Sequence, residues 1–342
     1  MNAQRAPWAI RNPGPSSGVG CPGSRLMMRV TALPVGLLLV LVALELVRSS
    51  PSAAASTRSS FIPPTPVPGV TAETSTPEAP SLGVNDWSCK PSAAHPEPVV
   101  LVHGLLANLT EWQVMAPLLA HNGYCVFALT YGTIPGLPFP LDQVGGLLPM
   151  EQSAQELSGF IDGVLSATGA HKVDIIGHSE GATMPYYYVK FLGGAAKVDH
   201  YVGLGPGYHG TTVDGLAPVV SLLGQLVPGA AQTVAGICGA CPESVPGSAF
   251  LKALDADASA VPGPTYTNIV TRYDEVVTPY TSGFLNGPNV TNIVLQDQCG
   301  LDFSDHVALA ADPVAAQDVL NALDPQRAMA PACGLVLPLL GG

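Results

Sequence analysis

From Asn85 onward the chain alternates between short, wholly apolar runs and longer segments with helical periodicity. "PVVLVHG" (98–104) and "YCVFALTYG" (124–132) are continuous apolar stretches, the pattern of strands buried on both faces. "EQSAQELSGFIDGVLSATG" (151–169) instead brings Ala154, Leu157, Phe160, Ile161, Val164 and Leu165 onto one helical face, with Gly169 as the stop. "KVDIIG" reads as a strand, "TMPYYYVKFLGG" as a helix, and "HYVGLGP" (200–206), "TYTNIVTRYD" (265–274) and "TNIVLQDQ" (291–298) as further strands, before a last helix over "DPVAAQDVLNAL" (312–323). Such alternation predicts an α/β fold, a mostly parallel central sheet with helices on both faces. In that architecture chemistry belongs beyond the carboxyl ends of the strands.

The first 84 residues follow another pattern. Arg25 and Arg29 precede the apolar run Leu33 to Leu44, and Ala53 to Ala55 then supply small residues. A basic region, a short apolar segment and a small-residue site predict a secretory signal peptide over 1–55. The run is about a dozen residues, short of the ~20 that span a bilayer, so no stable membrane anchor is expected. Residues 56–84, rich in Pro, Ser and Thr and without periodicity, predict a linker. Residues 85–342 form the expected catalytic domain.

Composition narrows the function. Only 11% of residues are charged, with 13 basic against 25 acidic, and no basic cluster exists. Phosphate neutralisation requires clustered Lys and Arg, so nucleic acid is not an expected partner. Cys21 lies in the leader, and six cysteines remain beyond it. An even number in an exported chain predicts three disulfides. The pairings closest along the chain are Cys89–Cys125, Cys238–Cys241 and Cys299–Cys333. Cys238-Gly-Ala-Cys241 has the spacing of redox and zinc motifs, but no second C-x-x-C and no flanking His pair, so a structural loop is expected. No metal and no cofactor are expected.

Gly177-His178-Ser179-Glu180-Gly181 lies where a strand gives way to a helix. G-x-S-x-G in that context is a nucleophile elbow, its glycines relieving the clash of a very sharp turn. A serine hydroxyl is a weak nucleophile and needs a base. Three histidines follow Ser179: His200 begins a strand, His209 lies in a Gly-rich loop, and His306 sits in the polar loop "LDFSDHVALAAD" before the last helix. His306 is the preferred base. Asp274, at the end of the 265–274 strand, is the preferred acid, with its neighbour Glu275 as the alternative; Asp305 adjoins His306, but adjacent side chains on an extended loop point apart. The oxyanion hole requires two backbone N–H donors. Glu180, after the nucleophile, supplies one; Leu105, after the strand ending in His103-Gly104, supplies the other.

"VVLVHGLLANLTEW", "GHSEGA", "KVDHYVGLGPGYHGTT", "TNIVTRYDEVVTPY" and "SDHVALAADP", in collinear order over roughly 85–325, resemble the secreted class 2 triacylglycerol lipases of bacteria, within the α/β-hydrolase fold, and more distantly fungal lipase B. The resemblance implies Ser179, Asp274 and His306 as triad and Leu105 and Glu180 as oxyanion hole. Two positions depart from the fungal pattern: Leu105 stands where that enzyme has threonine, and Glu180 where it has glutamine. A side-chain hydroxyl donor is therefore absent; the backbone donors are unaffected. The apolar stretch 211–238 is the expected acyl-pocket wall or cap, which favours fatty-acid esters. The function expected is that of a secreted, extracellular, monomeric ester hydrolase, a triacylglycerol lipase working through an acyl-enzyme. An acyltransferase or polyester depolymerase on the same triad, and an inactive binding or adhesion protein, are the alternatives.

Overall fold

In a computed structural model of the chain, residues 82–212, 236–255 and 259–339 are described. Six strands form one parallel sheet: β1 (Val99–Val102), β2 (Val126–Leu129), β3 (Val173–His178), β4 (Val198–Leu204), β5 (Thr265–Val270) and β6 (Val290–Val294), in the order β2-β1-β3-β4-β5-β6. The main helices are α1 (Met115–His121), α2 (Met150–Thr168), α3 (Glu180–Phe191), α4 (Ala249–Asp255) and α5 (Pro313–Leu323).

Strand alternation sorts the apolar residues into two cores, one on each face. Val100, Val102, Phe127, Leu129, Ile175 and Tyr201 pack with Ala154, Leu157, Ile161 and Val164 of α2. Their neighbours Val99, Leu101, Val126, Ala128, Ile176 and Val202 pack with Met115 and Leu119 of α1 and Val314 and Val319 of α5. The period of two along each strand thus feeds both faces, and the runs read as continuously apolar because neither face meets water. α2 ends as expected at Gly169, whose φ of 80° and amide bond to Leu165 O close the last turn. Phe160 and Leu165 are only partly buried, at the flank of its core face. α5 begins at Asp312, which accepts a hydrogen bond from Ala315 N at 2.7 Å, followed by Pro313 in the first turn.

Four expectations are corrected. The 265–274 strand stops at Val270, and Asp274 lies in the loop that follows it. The 291–298 strand stops at Val294, and Leu295–Gln298 make a helical turn. β6 is an edge strand with half-exposed residues, so little burial holds its tail extended; the turn instead lets Gln296 accept Arg272 N and donate to Thr271 Oγ1. The loop after β1 contains a 3-10 turn, Leu109–Trp112, and the helix α1, read in the sequence only as a loop. Leu82 and Val84, inside the segment read as linker, are buried in the core beneath the sheet. The structure joins Cys89 to Cys125, Cys238 to Cys241 and Cys299 to Cys333, the pairs that spacing suggests. The leader, most of the 56–84 segment and residues 213–235 of the expected acyl-pocket wall lie outside the described residues. Among the described residues no helix is long and apolar enough to cross a membrane.

The strand order reverses between β1 and β3, since β2 lies on one side of this pair and β4 to β6 on the other. Segments leaving the carboxyl ends of β1 and β3 diverge there, leaving a crevice.

Candidate active site

β3 runs into α3 with a single residue between them. That residue, Ser179, has φ 57° and ψ −121°, a conformation that costs a non-glycine residue of order 1–3 kcal/mol. Its flanking glycines are required by contact with backbone. A Cβ on Gly177 would lie 1.9 Å from Gly181 O, and one on Gly181 would lie 2.2 Å from both Val102 O and His103 O. The elbow is anchored by Ser179 N donating to Leu204 O at 2.8 Å.

A peptide unit is planar, with its C=O and N–H on opposite sides, so fixing the carbonyl aims the amide. Ser179 O accepts from Ala182 N and Thr183 Oγ1, inside α3, which turns Glu180 N–H outward at the helix N-terminus. The same device operates after β1. Gly104 O accepts from Ala107 N at 3.2 Å and lies 2.8 Å from His103 Nδ1, so Leu105 N–H faces away from both. His103 is fully buried, and burial lowers its affinity for a second proton. A neutral ring fits its contacts, Nδ1 donating to Gly104 O and Nε2 accepting Tyr131 N at 3.2 Å. Among the described residues neither Leu105 N–H nor Glu180 N–H has an acceptor.

His306 and Asp274 meet although 32 residues separate them: Nδ1 lies 2.8 Å from Asp274 Oδ2, both groups being buried. Asp274 Oδ1 is occupied by Val276 N at 3.0 Å and Val277 N at 2.6 Å, which sets the carboxylate's orientation. His306 Nε2 is buried without a hydrogen-bond partner among the described residues. The rival carboxylates are engaged elsewhere. Glu275 accepts the backbone N–H of His306 rather than its ring, and Asp305 accepts Ala308 N. Among the other histidines, His200 pairs with Asp174 at the start of β4, the end of the sheet remote from Ser179, and His209 contacts Phe284 O.

Ser179, His306, Leu105 and Glu180 line one cavity of about 260 Å³, walled by Leu106, Ala107, Met150, Val276, Val277 and Val307. The wall is apolar, and Thr211, from the stretch expected to form it, contributes to the lining. Glu180 itself turns inward: burial raises its carboxyl well above the usual range, against a smaller opposing effect of the Tyr131 hydroxyl. The Tyr131 hydroxyl is the donor, its one proton shared between Glu180 Oε1 at 3.1 Å and His103 O at 2.9 Å.

Glu111 and His178 were not singled out in the sequence. They border the same cavity as Ser179, with His178 Nδ1 2.6 Å from Glu111 Oε1. Burial opposes charge on both; their mutual attraction outweighs it, raising His178 and lowering Glu111 relative to their ordinary ranges. Glu111 gave no sequence signal because it lies in the turn that was read as loop.

The solved structure of lipase B from Aspergillus fumigatus is similar to this chain at 20% identity and TM-score 0.53, covering 85% of this chain and 69% of that one. That likeness bears on the fold. A mature lipase from Bacillus licheniformis matches at 18% identity and TM-score 0.43, covering 60% of this chain and 85% of that one. The profile of the lipase (class 2) family matches residues 96–319, and the chain belongs to that family.

Proposed function

We propose that this member of the class 2 lipases, a serine ester hydrolase of the α/β-hydrolase fold, is a secreted enzyme that cleaves fatty-acyl esters, triacylglycerols among them, with Ser179 as nucleophile, His306 as base and Asp274 as the orienting acid. One observation carries the reading. His306 has one ring nitrogen on the Asp274 carboxylate and the other buried and unpartnered, in the cavity where Ser179 is held at a strained elbow.

Asp274 keeps the Nδ1 proton in place, so Nε2 is free to accept. As Ser179 Oγ attacks the ester carbonyl, its proton passes to His306 Nε2, and the carbonyl oxygen becomes an oxyanion. Leu105 N–H and Glu180 N–H stabilise that charge, each donor worth ~10²–10³ in rate. Collapse breaks the ester C–O bond; His306 returns the proton to the departing alcohol and an acyl-Ser179 remains. Water then gives its proton to His306 as it attacks, and the second collapse breaks the bond from the acyl carbon to Ser179 Oγ, His306 returning the proton to Oγ as the fatty acid leaves. The apolar cavity wall supports an acyl chain rather than a charged acid as occupant. Export is supported by the expected leader together with three disulfides, which persist in oxidising compartments.

The test is a series of p-nitrophenyl esters from acetate to palmitate, with tributyrin and triolein as emulsions. Hydrolysis of long-chain esters and triolein is expected. Activity confined to acetate would overturn the lipase reading, and no hydrolysis at all, without labelling of Ser179 by a phosphonate ester, would overturn the triad.

A further inference from the structure

His178 occupies the variable position before the nucleophile, yet its ring is held at both ends. Nδ1 lies 2.6 Å from Glu111 Oε1, and Nε2 lies 2.9 Å from the carbonyl oxygen of His306. A carboxylate and a carbonyl are both acceptors. A neutral imidazole has one N–H and could satisfy only one of them; two acceptors require two N–H groups, hence an imidazolium. The second oxygen of Glu111, Oε2, accepts Gly104 N–H at 2.8 Å. One half-buried carboxylate therefore reaches the loop carrying the Leu105 amide, and through His178 it reaches the backbone of the general base. Glu111 lies in the Leu109–Trp112 turn, itself capped by Asn108 Oδ1 accepting Thr110 N at 2.9 Å.

We propose that Glu111 and a doubly protonated His178 form a positioning pair that holds the Leu105 amide and the His306 loop in register with Ser179. It rests on the reading of Ser179 and His306 as nucleophile and base. The pair links three segments that come from different parts of the chain: the loop after β1, the elbow after β3 and the loop before α5. It touches none of the reacting atoms and is not catalytic in itself. The His178 and His306 rings lie 4.8 Å apart between centroids, so a lone cation at His178 would oppose the proton that His306 takes up; the Glu111 charge offsets it.

Glutamine and leucine at 111 separate positioning from simple packing. Glutamine can accept Gly104 N–H through Oε1 and donate to Nδ1 of a neutral His178, whose remaining Nε2–H still serves His306 O. Leucine fills the space and supports neither loop. Expected for Glu111→Leu is a loss in kcat of about 10- to 100-fold on p-nitrophenyl butyrate with KM little changed, the scale of a displaced oxyanion donor or a misplaced reacting group. Glu111→Gln should recover at least threefold of that loss. Independently of catalysis, 15N spectra of the imidazoles in the full-length Ser179→Ala chain should show His178 doubly protonated at pH 8, where an ordinary imidazole is neutral. A neutral His178 in that spectrum overturns the proposal even if Glu111→Leu does not fold. Wild-type kcat in Glu111→Leu, or a glutamine variant as impaired as the leucine one, overturns it as well. Full activity in Ser179→Ala would instead count against the nucleophile assignment and leave the His178 spectrum to be read on its own.

Discussion

The elbow and the base loop are both needed in one cavity, and they are held there by different physics. The elbow is five consecutive residues whose shape is set by exclusion: backbone oxygens of β1 and α3 leave room for hydrogen and nothing larger at Gly177 and Gly181. The base loop is set by attraction between distant parts. Asp274 is oriented by two amides of its own turn, Thr271 Oγ1 donates to Ser304 O at 2.6 Å, Asp302 accepts Ser304 N, and Glu275 accepts His306 N. Steric exclusion is all-or-none, whereas a set of hydrogen bonds can lose one member and distort by degrees. The first arrangement gives a motif visible in five letters. The second gives a histidine whose neighbours lie about thirty residues away.

The comparison is broken most severely by removing the proposed reacting groups themselves. Ser179→Ala, His306→Ala and Asp274→Asn should each lower kcat/KM by roughly 10³-fold or more, and a double variant should be little worse than the worse single one, because the residues act as a unit. Near-normal turnover in Asp274→Asn would transfer the acid's role to Glu275 or Asp302. Next in size is the contrast of the two supports. Gly177→Ala places a carbon 1.9 Å from a backbone oxygen, and should cost more than the ~1–3 kcal/mol typical of overpacking and yield little folded enzyme. Thr271→Val removes one buried donor from Ser304 O, costing about 1–3 kcal/mol, and should yield folded enzyme with reduced kcat. Thermal melts and kcat on the two purified proteins decide it; a well-folded Gly177→Ala would end the argument from exclusion.

The smallest expected effect on turnover concerns Glu180. Its folded-state pKa is raised by burial, so over the range above the unfolded value of about 4.3 the native chain keeps a proton that the unfolded chain has released. Wild-type stability therefore falls as pH rises through that range toward the folded pKa, and a glutamine has no such dependence. Glu180→Gln should gain in Tm relative to wild type as pH goes from 4 to 8. A Tm difference independent of pH would mean that Glu180 does not hold its proton in the fold.

Much of the molecule was legible in the letters because the physics involved is local. Buried strands announced themselves by unbroken apolar runs, α2 by its period and Gly169, α5 by Asp312 and Pro313, and the elbow by two glycines around a serine. The missed helix α1 carried a signal as well: Leu109, Trp112, Met115 and Leu119, all buried, recur every three or four residues. The tail of β6 misled because the strand-favouring run through Val294 was carried on into Leu295–Gln298, whose residues do not share that preference, while an exposed edge leaves the outcome to side chains such as Gln296. The order Ser, acid, His narrowed the proposed triad, with Asp274 preferred at the strand end and its neighbour Glu275 kept as the alternative. In the folded chain the Asp274 carboxylate lies on the His306 ring and that of Glu275 on its backbone amide, which supports the preference for Asp274. The Glu111–His178 pair had no counterpart in spacing at all, since 67 residues separate its members and their attraction, which outweighs the cost of burial, exists only where the fold brings them together. Sequence determined what each segment does alone; the tertiary structure decided which buried polar groups face one another, because that depends on the register of segments that never meet along the chain.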